Sequence, residues 1–159
     1  AWSYSGGPYP LSRLPVGELF AGGAMGLVLT ALAAYVQTGA VDTGTVALGL
    51  PATFLIAAIL AANNACDRVG DAAGGRRTLA IVVGERGAAR VVEGLVAAGY
   101  AFAFALAFAG VLPLFSTLPL LTAAVVSART LAAMRARGYA HRTKQPSMAG
   151  ISNGVESSL

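Results

Sequence analysis

The sequence predicts an all-α integral membrane protein, a helical bundle with about four membrane spans. Only 11% of the 159 residues are charged and 56% are hydrophobic, whereas a soluble domain carries about 25% charged residues. The mean hydropathy is +0.68, and several uncharged stretches approach the roughly 20 apolar residues that an α-helix needs to cross the hydrocarbon core. The predicted solvent of this chain is therefore lipid rather than water.

Four apolar stretches are long enough, or nearly long enough, to cross a bilayer. They are residues 19–36, 46–62, 94–115 and 118–134, and the first three contain no charged residue. Pro51 lies near the start of the second stretch, where its missing N–H costs least. Arg129 interrupts the fourth stretch, so we expect that span to end near Val126 and the guanidinium to reach the headgroups.

The basic residues indicate the orientation of these spans. The loop between the first two spans carries only Asp42, and the turn near Gly110 carries no charge. All 11 Lys and Arg fall on the opposite side of a four-span arrangement. By the positive-inside rule that side is the cytoplasm, so residues 63–90 are predicted to form a cytoplasmic loop of a cell-membrane protein. The net charge of +4 does not indicate nucleic acid, because no soluble binding surface accompanies it.

The two ends of the sequence differ from its apolar middle. The first residue is Ala1 rather than Met, and residues 1–13 lack the basic-then-apolar pattern of a signal peptide. We therefore expect the sequence to continue a longer chain. Residues 138–159 are polar and contain no further apolar span, which predicts a membrane domain over residues 1–137 and a disordered tail over residues 138–159.

Polar side chains cluster directly after the second span. In order, the segment is Asn63-Asn64-Ala65-Cys66-Asp67-Arg68-Val69-Gly70-Asp71. If the span continues as a helix, Asn64, Asp67 and Asp71 stand at i, i+3 and i+7 and share one face. Such hard oxygen donors suit Mg²⁺, which takes one or two carboxylates together with water and substrate phosphates. We therefore predict a Mg²⁺ site at Asp67, Asp71 and Asn64, with the two aspartates as catalytic residues. The single Cys66 and single His141 exclude an intrachain disulfide and a Cys-based or His-cluster metal site.

Two arginines follow this segment. Arg76 and Arg77 can donate forked hydrogen bonds to a diphosphate, and with the amides of Asn63 and Asn64 they form the predicted substrate site. The alternative is a solvated loop whose acids and arginines only pair with one another. We favour the site because polar groups at the end of an apolar span are costly when they are left without partners.

The same segment also resembles a known motif. The pattern N-N-x-x-D-x-x-x-D, followed by Arg76-x-Thr78-Leu79, resembles the second aspartate-rich motif of the UbiA prenyltransferase superfamily, in its 1,4-dihydroxy-2-naphthoate (MenA) branch. Upstream, Tyr4-Ser5-Gly6-Gly7-Pro8 and Gly17-Glu18-Leu19-Phe20 are similar to that branch's Y-x-G-G-P and G-E-x-F segments. The resemblance runs from about residue 4 to residue 90, and the last third is similar only in its hydrophobic spans. The chain thus resembles the C-terminal half of such an enzyme.

This resemblance implies a fold and an activity. The fold is a bundle of nine transmembrane helices, in which two aspartate-rich loops hold Mg²⁺ and a polyprenyl diphosphate. The activity is transfer of the polyprenyl group to an aromatic acceptor, 1,4-dihydroxy-2-naphthoate, in menaquinone biosynthesis. By the same resemblance Asp67 and Asp71 bind Mg²⁺, Asn64 supports that site and Arg76 holds diphosphate. Residues 1–159 contain no first aspartate-rich motif, so we expect them to be inactive alone.

Three alternative functions are a prenyltransferase with another acceptor, a different membrane enzyme and a non-catalytic membrane protein. No residue excludes a 4-hydroxybenzoate-type acceptor. A CDP-alcohol phosphotransferase would need a D-G-x-x-A-R string, which the sequence lacks. A non-catalytic four-span transporter or packing subunit would need polar residues inside the spans, and the centres of the first three contain essentially none.

Two features allow both a structural and a functional interpretation. Glu18 begins the first span, where the helix dipole favours a carboxylate, while the G-E-x-F resemblance suggests a role at the mouth of the cavity. An aromatic series in the third span either packs against neighbouring helices and lipid or lines a tunnel for the prenyl chain. Its members are Tyr100, Phe102, Phe104 and Phe108.

Overall fold

A computed structural model describes residues 15–137, and these are helical apart from short connections. Five helices follow one another: α1 (Gly17–Thr38), α2 (Thr43–Cys66), α3 (Arg68–Ala73), α4 (Leu79–Phe108) and α5 (Thr117–Arg137). A single 3₁₀ turn, Leu114–Ser116, precedes α5. The predicted tail over residues 138–159 lies outside the described residues.

Four of the helical segments are long and apolar enough to cross a membrane. They comprise α1 with 22 residues, α2 with 24, α4 with 30 and the segment Leu114–Ala136 with 23. Large apolar side chains on their outer faces are exposed, for example Val36 at 76% and Phe108 at 77%. Such an apolar surface fits lipid rather than water. The prediction of an all-α, multi-pass membrane protein is confirmed.

Helices α1 and α2 pack closely because glycine faces threonine where they meet. Gly22 and Gly26 are buried, and a methyl group added at Gly26 would lie 2.5 Å from Thr53 Oγ1. Part of α1, Gly23–Val28, is a π-helix, which changes the helical register locally. The small residues of α1 therefore serve helix packing, which places the N-terminal turn of α1 beside the C-terminal end of α2.

The third span begins earlier than the sequence predicted. We expected a loop over residues 63–90, but α3 and the first three turns of α4 occupy most of it. Ala88, Ala89 and Val92 are buried at 3%, 8% and 2% exposure, while Arg86 and Arg90 are exposed. This segment is an amphipathic helix. The prediction of a loop was wrong because the charged residues lie on the exposed face of this helix.

The contact between α2 and α4 consists largely of small side chains. Ala65 of α2 packs with Ala80, Ala88 and Ala89 of α4 in one buried cluster. Further along, the rings of Phe54 and Phe102 stack with centroids 5.3 Å apart. Phe102, a member of the aromatic series in α4, therefore packs against α2. The result is that the polar end of α2 is held against the start of α4.

Helix α5 adds a more open contact. Tyr100 of α4 and Ser127 of α5 form a hydroxyl–hydroxyl hydrogen bond of 3.0 Å. These two residues also line an open, mostly apolar cavity of about 370 Å³ between α2, α4 and α5. Tyr100, a member of the aromatic series in α4, thus lines a cavity.

Candidate functional site at the end of α2

The helix that carries the polar segment is interrupted at Asp67. Helix α2 ends at Cys66, and Asp67 has φ −92° and ψ 4° before α3 begins at Arg68. Backbone hydrogen bonds continue on both sides, from Asp67 N to Asn63 O at 3.0 Å and from Asp71 N to Asp67 O at 2.8 Å. The expected uninterrupted helix is therefore replaced by two helices that meet at an aspartate, a residue that is unfavourable inside helices.

Asn64 hydrogen-bonds to a carboxylate of α1. Its Nδ2 donates to Oε1 of Glu18 at 2.8 Å. Glu18 is only 3% exposed, and its second oxygen, Oε2, is buried without a hydrogen-bond partner within the described part of the chain. Glu18 also borders a small void, whose other lining residues are Ala61, Leu79, Ala80, Ala88 and Val91. The G-E-x-F resemblance indicated a role for Glu18 at the mouth of a cavity, but it did not predict this contact with Asn64.

Asp71 and Arg76 form an ion pair at the other end of the segment. Arg76 Nη1 donates to Asp71 Oδ1 at 2.8 Å, and the Arg76 backbone N donates to the Asp71 carbonyl at 3.0 Å. The Asp71 side chain is 11% exposed and that of Arg76 is 42% exposed. The second carboxylate oxygen, Asp71 Oδ2, is buried and has no hydrogen-bond partner among residues 15–137. One predicted metal ligand and one predicted diphosphate ligand thus lie in direct contact.

The remaining predicted residues lie at the surface. Asp67, Asn63 and Arg77 are all exposed. Arg68, which was not predicted to belong to the site, pairs with Glu85 at 3.5 Å and so joins α3 to α4.

A buried threonine lies beside these groups in the sequence. Thr78 is the residue before α4 and is 2% exposed. Its Oγ1 has no hydrogen-bond partner in the described structure. Because buried hydroxyl groups are nearly always hydrogen-bonded, this atom is a further oxygen without a partner among the described residues, at the end of the bundle where α4 begins. The R-x-T-L resemblance included Thr78 without assigning it a role.

The donor set fits Mg²⁺ in its chemistry. Within residues 15–137 no group of three or more His, Cys, Asp or Glu is arranged to hold a metal ion. Mg²⁺ does not require such a group, since it binds through one or two carboxylates and completes its shell with water and substrate phosphates. A buried carboxylate oxygen without a partner, Asp71 Oδ2, is a suitable ligand for it. Asp67 and the side-chain oxygen Oδ1 of Asn64 are the other oxygen donors of the predicted Mg²⁺ site.

Comparison with known proteins agrees with the motif resemblance. The chain matches the UbiA prenyltransferase family over residues 1–151, a range that extends past residue 137 into the segment predicted as a tail. It is 36% identical over 107 residues to the 1,4-dihydroxy-2-naphthoate octaprenyltransferase of Bacillus subtilis (strain 168). That alignment covers 67% of this chain and 34% of the relative, so the chain spans about a third of that protein's length. No solved structure matches the chain significantly. The chain belongs to the UbiA prenyltransferase family.

Proposed function

We propose that the protein transfers a polyprenyl group from a polyprenyl diphosphate to an aromatic acceptor, 1,4-dihydroxy-2-naphthoate, in menaquinone biosynthesis. Family membership supports prenyl transfer, and the naphthoate acceptor rests on the relative that carries that name. One structural observation carries the proposal to particular residues. Asp71 has one oxygen bound to Arg76 and one buried oxygen that has no hydrogen-bond partner within residues 15–137, an arrangement suited to binding a metal ion next to a diphosphate.

The roles of the residues follow from their chemistry. Asp71 and Asp67 would hold Mg²⁺ together with the side-chain oxygen Oδ1 of Asn64. When bound, the metal would supply positive charge that stabilises a departing diphosphate. Arg76 keeps its guanidinium beside the site by its bond to Asp71. A guanidinium has five N–H donors, so Arg76 can hold Asp71 and bind diphosphate oxygens. The exposed Arg77 and the amide of Asn63 would bind the outer face of the same diphosphate.

The orientation is part of the proposal. We place the protein in the cell membrane with residues 63–90 in the cytoplasm, because the order of the apolar stretches in the sequence assigns all 11 Lys and Arg to that side. A charged diphosphate would then reach Asp67 and Asp71 from the aqueous side. The prenyl chain would remain in the apolar phase, where the open cavity between α2, α4 and α5 offers an apolar surface.

Matched aspartate-to-asparagine variants test the assignment in the natural protein at its full length. Asp71→Asn should lower Mg²⁺-dependent prenyl transfer by about 100-fold or more, because a metal ligand that stabilises the leaving group is lost. Asp42→Asn is the control, since Asp42 is exposed in the loop between α1 and α2 and should leave turnover unchanged. If Asp67→Asn and Asp71→Asn both retain Mg²⁺-dependent turnover, the catalytic assignment is wrong.

A further inference from the structure

Glu18 is a buried acid that the proposed mechanism does not use. It lies in the first turn of α1, is 3% exposed, and accepts a hydrogen bond from Asn64, 46 positions along the chain. Its second oxygen has no partner among the described residues. An ionisable side chain within a membrane span is costly to bury, and such groups generally face a functional site and bind a particular partner.

Helix packing alone does not account for this acid. The contact between α1 and α2 is already made by Gly22 and Gly26 against Thr53. The void beside Glu18 is lined by Ala61, Leu79, Ala80, Ala88 and Val91, which are all apolar. An apolar side chain at position 18 would fill that space without the cost of burying a carboxylate.

The hydrogen bond determines which atom Asn64 presents to the rest of the site. The amide directs its NH₂ group to Glu18, whose Oε1 accepts the hydrogen bond. The oxygen and the nitrogen of a side-chain amide point in different directions from the carbon that carries them both. Asn64 Oδ1 is therefore turned away from Glu18, and an amide oxygen is a Mg²⁺ ligand whereas an amide NH₂ is not. Without this acceptor, the amide can rotate by half a turn and present its NH₂ group instead.

We propose that Glu18 is a positioning residue that holds the Asn64 amide with its oxygen directed to the Mg²⁺–diphosphate site. This inference rests on the proposed function of Asp67 and Asp71. Glu18 touches neither metal nor substrate in this account. It acts on them only through Asn64, as hydrogen-bonded residues behind the ligands do in other metal sites.

The test measures metal binding by a method that does not depend on turnover. Mn²⁺ serves as a spectroscopic substitute for Mg²⁺, and its binding to the natural full-length protein is followed by electron paramagnetic resonance with an unreactive polyprenyl thiodiphosphate present. Glu18→Ala should weaken Mn²⁺ binding about 10- to 100-fold, the range found when such supporting partners are removed. Thermal unfolding without metal, measured on every variant, shows whether each one is folded.

A swapped pair separates positioning from simple structural support. Asn64→Asp places two carboxylates in contact and should weaken Mn²⁺ binding. Adding Glu18→Gln to that variant restores one hydrogen bond with donor and acceptor exchanged, and it leaves a carboxylate oxygen directed to the metal. The double variant should therefore bind Mn²⁺ more tightly than Asn64→Asp by about tenfold or more, a coupling expected of residues in direct contact.

Each other outcome overturns the inference. If folded Glu18→Ala binds Mn²⁺ as the natural protein does, Glu18 does not position a ligand. If the double variant recovers thermal stability but not Mn²⁺ binding, the pair is only structural. Asp71→Asn in the same assay distinguishes the two proposals. If it abolishes Mn²⁺ binding while the Glu18 variants do not weaken it, only the positioning role is wrong. If Asp71→Asn binds normally, the metal site itself is wrong and both proposals fail.

Discussion

Two hydrogen bonds define the candidate site at the scale of single residues. Arg76 holds one oxygen of Asp71 at 2.8 Å, and Glu18 holds the nitrogen of Asn64 at 2.8 Å. The first bond leaves Asp71 Oδ2, and the second leaves Asn64 Oδ1, to bind the proposed Mg²⁺. The polar groups are thus ordered before any ligand arrives, which lowers the entropic cost of binding one.

A third carboxylate, Asp42, caps α2 at the opposite end. Its Oδ1 accepts hydrogen bonds from Thr45 N and Thr45 Oγ1, both at 2.7 Å. The backbone N–H of Thr45, followed by its hydroxyl, lowers the pKa of Asp42 below its ordinary value of 3.8. A carboxyl whose folded-state pKa is lowered adds stability above its unfolded pKa, and this contribution is lost as the pH falls through the folded-state pKa.

We predict a measurable consequence for acid stability. Asp42→Asn keeps a capping side chain but removes the titration, so it should show less loss of thermal stability than the natural residue when the pH falls below 3.8. Asp42→Ala removes the cap and should unfold at a lower temperature already at neutral pH. Thermal unfolding in detergent as a function of pH measures both effects. Identical pH dependence in the natural and Asp42→Asn proteins would contradict the assigned cap.

The sequence predicted which residue types the site contains, but not their partners. The spacing of Asn64, Asp67 and Asp71 indicated a metal site because residue type and helical period are local properties. The contact between Glu18 and Asn64 joins residues 46 positions apart and depends on how α1 packs against α2. That packing depends on the glycine contacts, which no local pattern determines.

At the scale of helices, Gly26 is one of two glycines in α1 that permit the close approach of α1 and α2. A methyl group at Gly26 would lie 2.5 Å from Thr53 Oγ1 and closer still to the Thr53 backbone, whereas one at Gly23 would meet nothing within 4 Å. Both glycines lie in the π-helical part of α1. Substitution of Gly26 therefore tests the contact, and the same substitution of Gly23, one turn away, is the control.

Gly26→Ala should destabilise the protein by about 1–3 kcal/mol, because the backbone of α2 must move away. Gly23→Ala should be neutral or slightly stabilising, since alanine favours helix more than glycine does. Thermal or denaturant unfolding of the two variants in the same detergent measures the difference. Equal stabilities would show that α1 and α2 do not approach each other as described.

Another glycine, Gly84, bends α4 near its N-terminal end. Gly84 has φ 70° and ψ 178° inside Leu79–Phe108, a conformation that is essentially restricted to glycine. Gly84→Ala should therefore cost about 1–3 kcal/mol of unfolding free energy. Gly94→Ala, in the same helix at a position with open space around the added methyl, is the matched control. If both variants unfold alike, the bend is absent in the membrane.

The sequence predicted the spans themselves better than their limits. Hydropathy indicated four membrane-crossing segments, and the helices follow them. Hydropathy did not indicate that α4 begins at Leu79, because a stretch that contains Glu85, Arg86 and Arg90 is too charged to be recognised as part of a span. Their exposed positions on an amphipathic helix explain why the helix continues through them.

At the scale of the whole molecule, the described bundle carries one of the two expected aspartate-rich loops. The chain spans about a third of its relative's length, and its sequence contains one aspartate-rich motif. Because the motif resemblance implies that two such loops together hold Mg²⁺ and diphosphate, we predict that purified residues 1–159 alone transfer no prenyl group. A radiolabelled-prenyl assay of residues 1–159 in detergent measures this, with the 1,4-dihydroxy-2-naphthoate octaprenyltransferase of Bacillus subtilis as the positive control. Turnover by residues 1–159 alone would contradict the prediction.

The most direct test of the central claim is the identity of the product. The purified full-length protein is incubated with a polyprenyl diphosphate and Mg²⁺, and with either 1,4-dihydroxy-2-naphthoate or 4-hydroxybenzoate, and the lipids are analysed by mass spectrometry. We predict a prenylated product from the naphthoate, formed with loss of its carboxyl group as carbon dioxide, and none when Mg²⁺ is chelated. A product from 4-hydroxybenzoate alone would contradict the proposed acceptor, and a folded protein that prenylates neither compound would contradict the proposed activity.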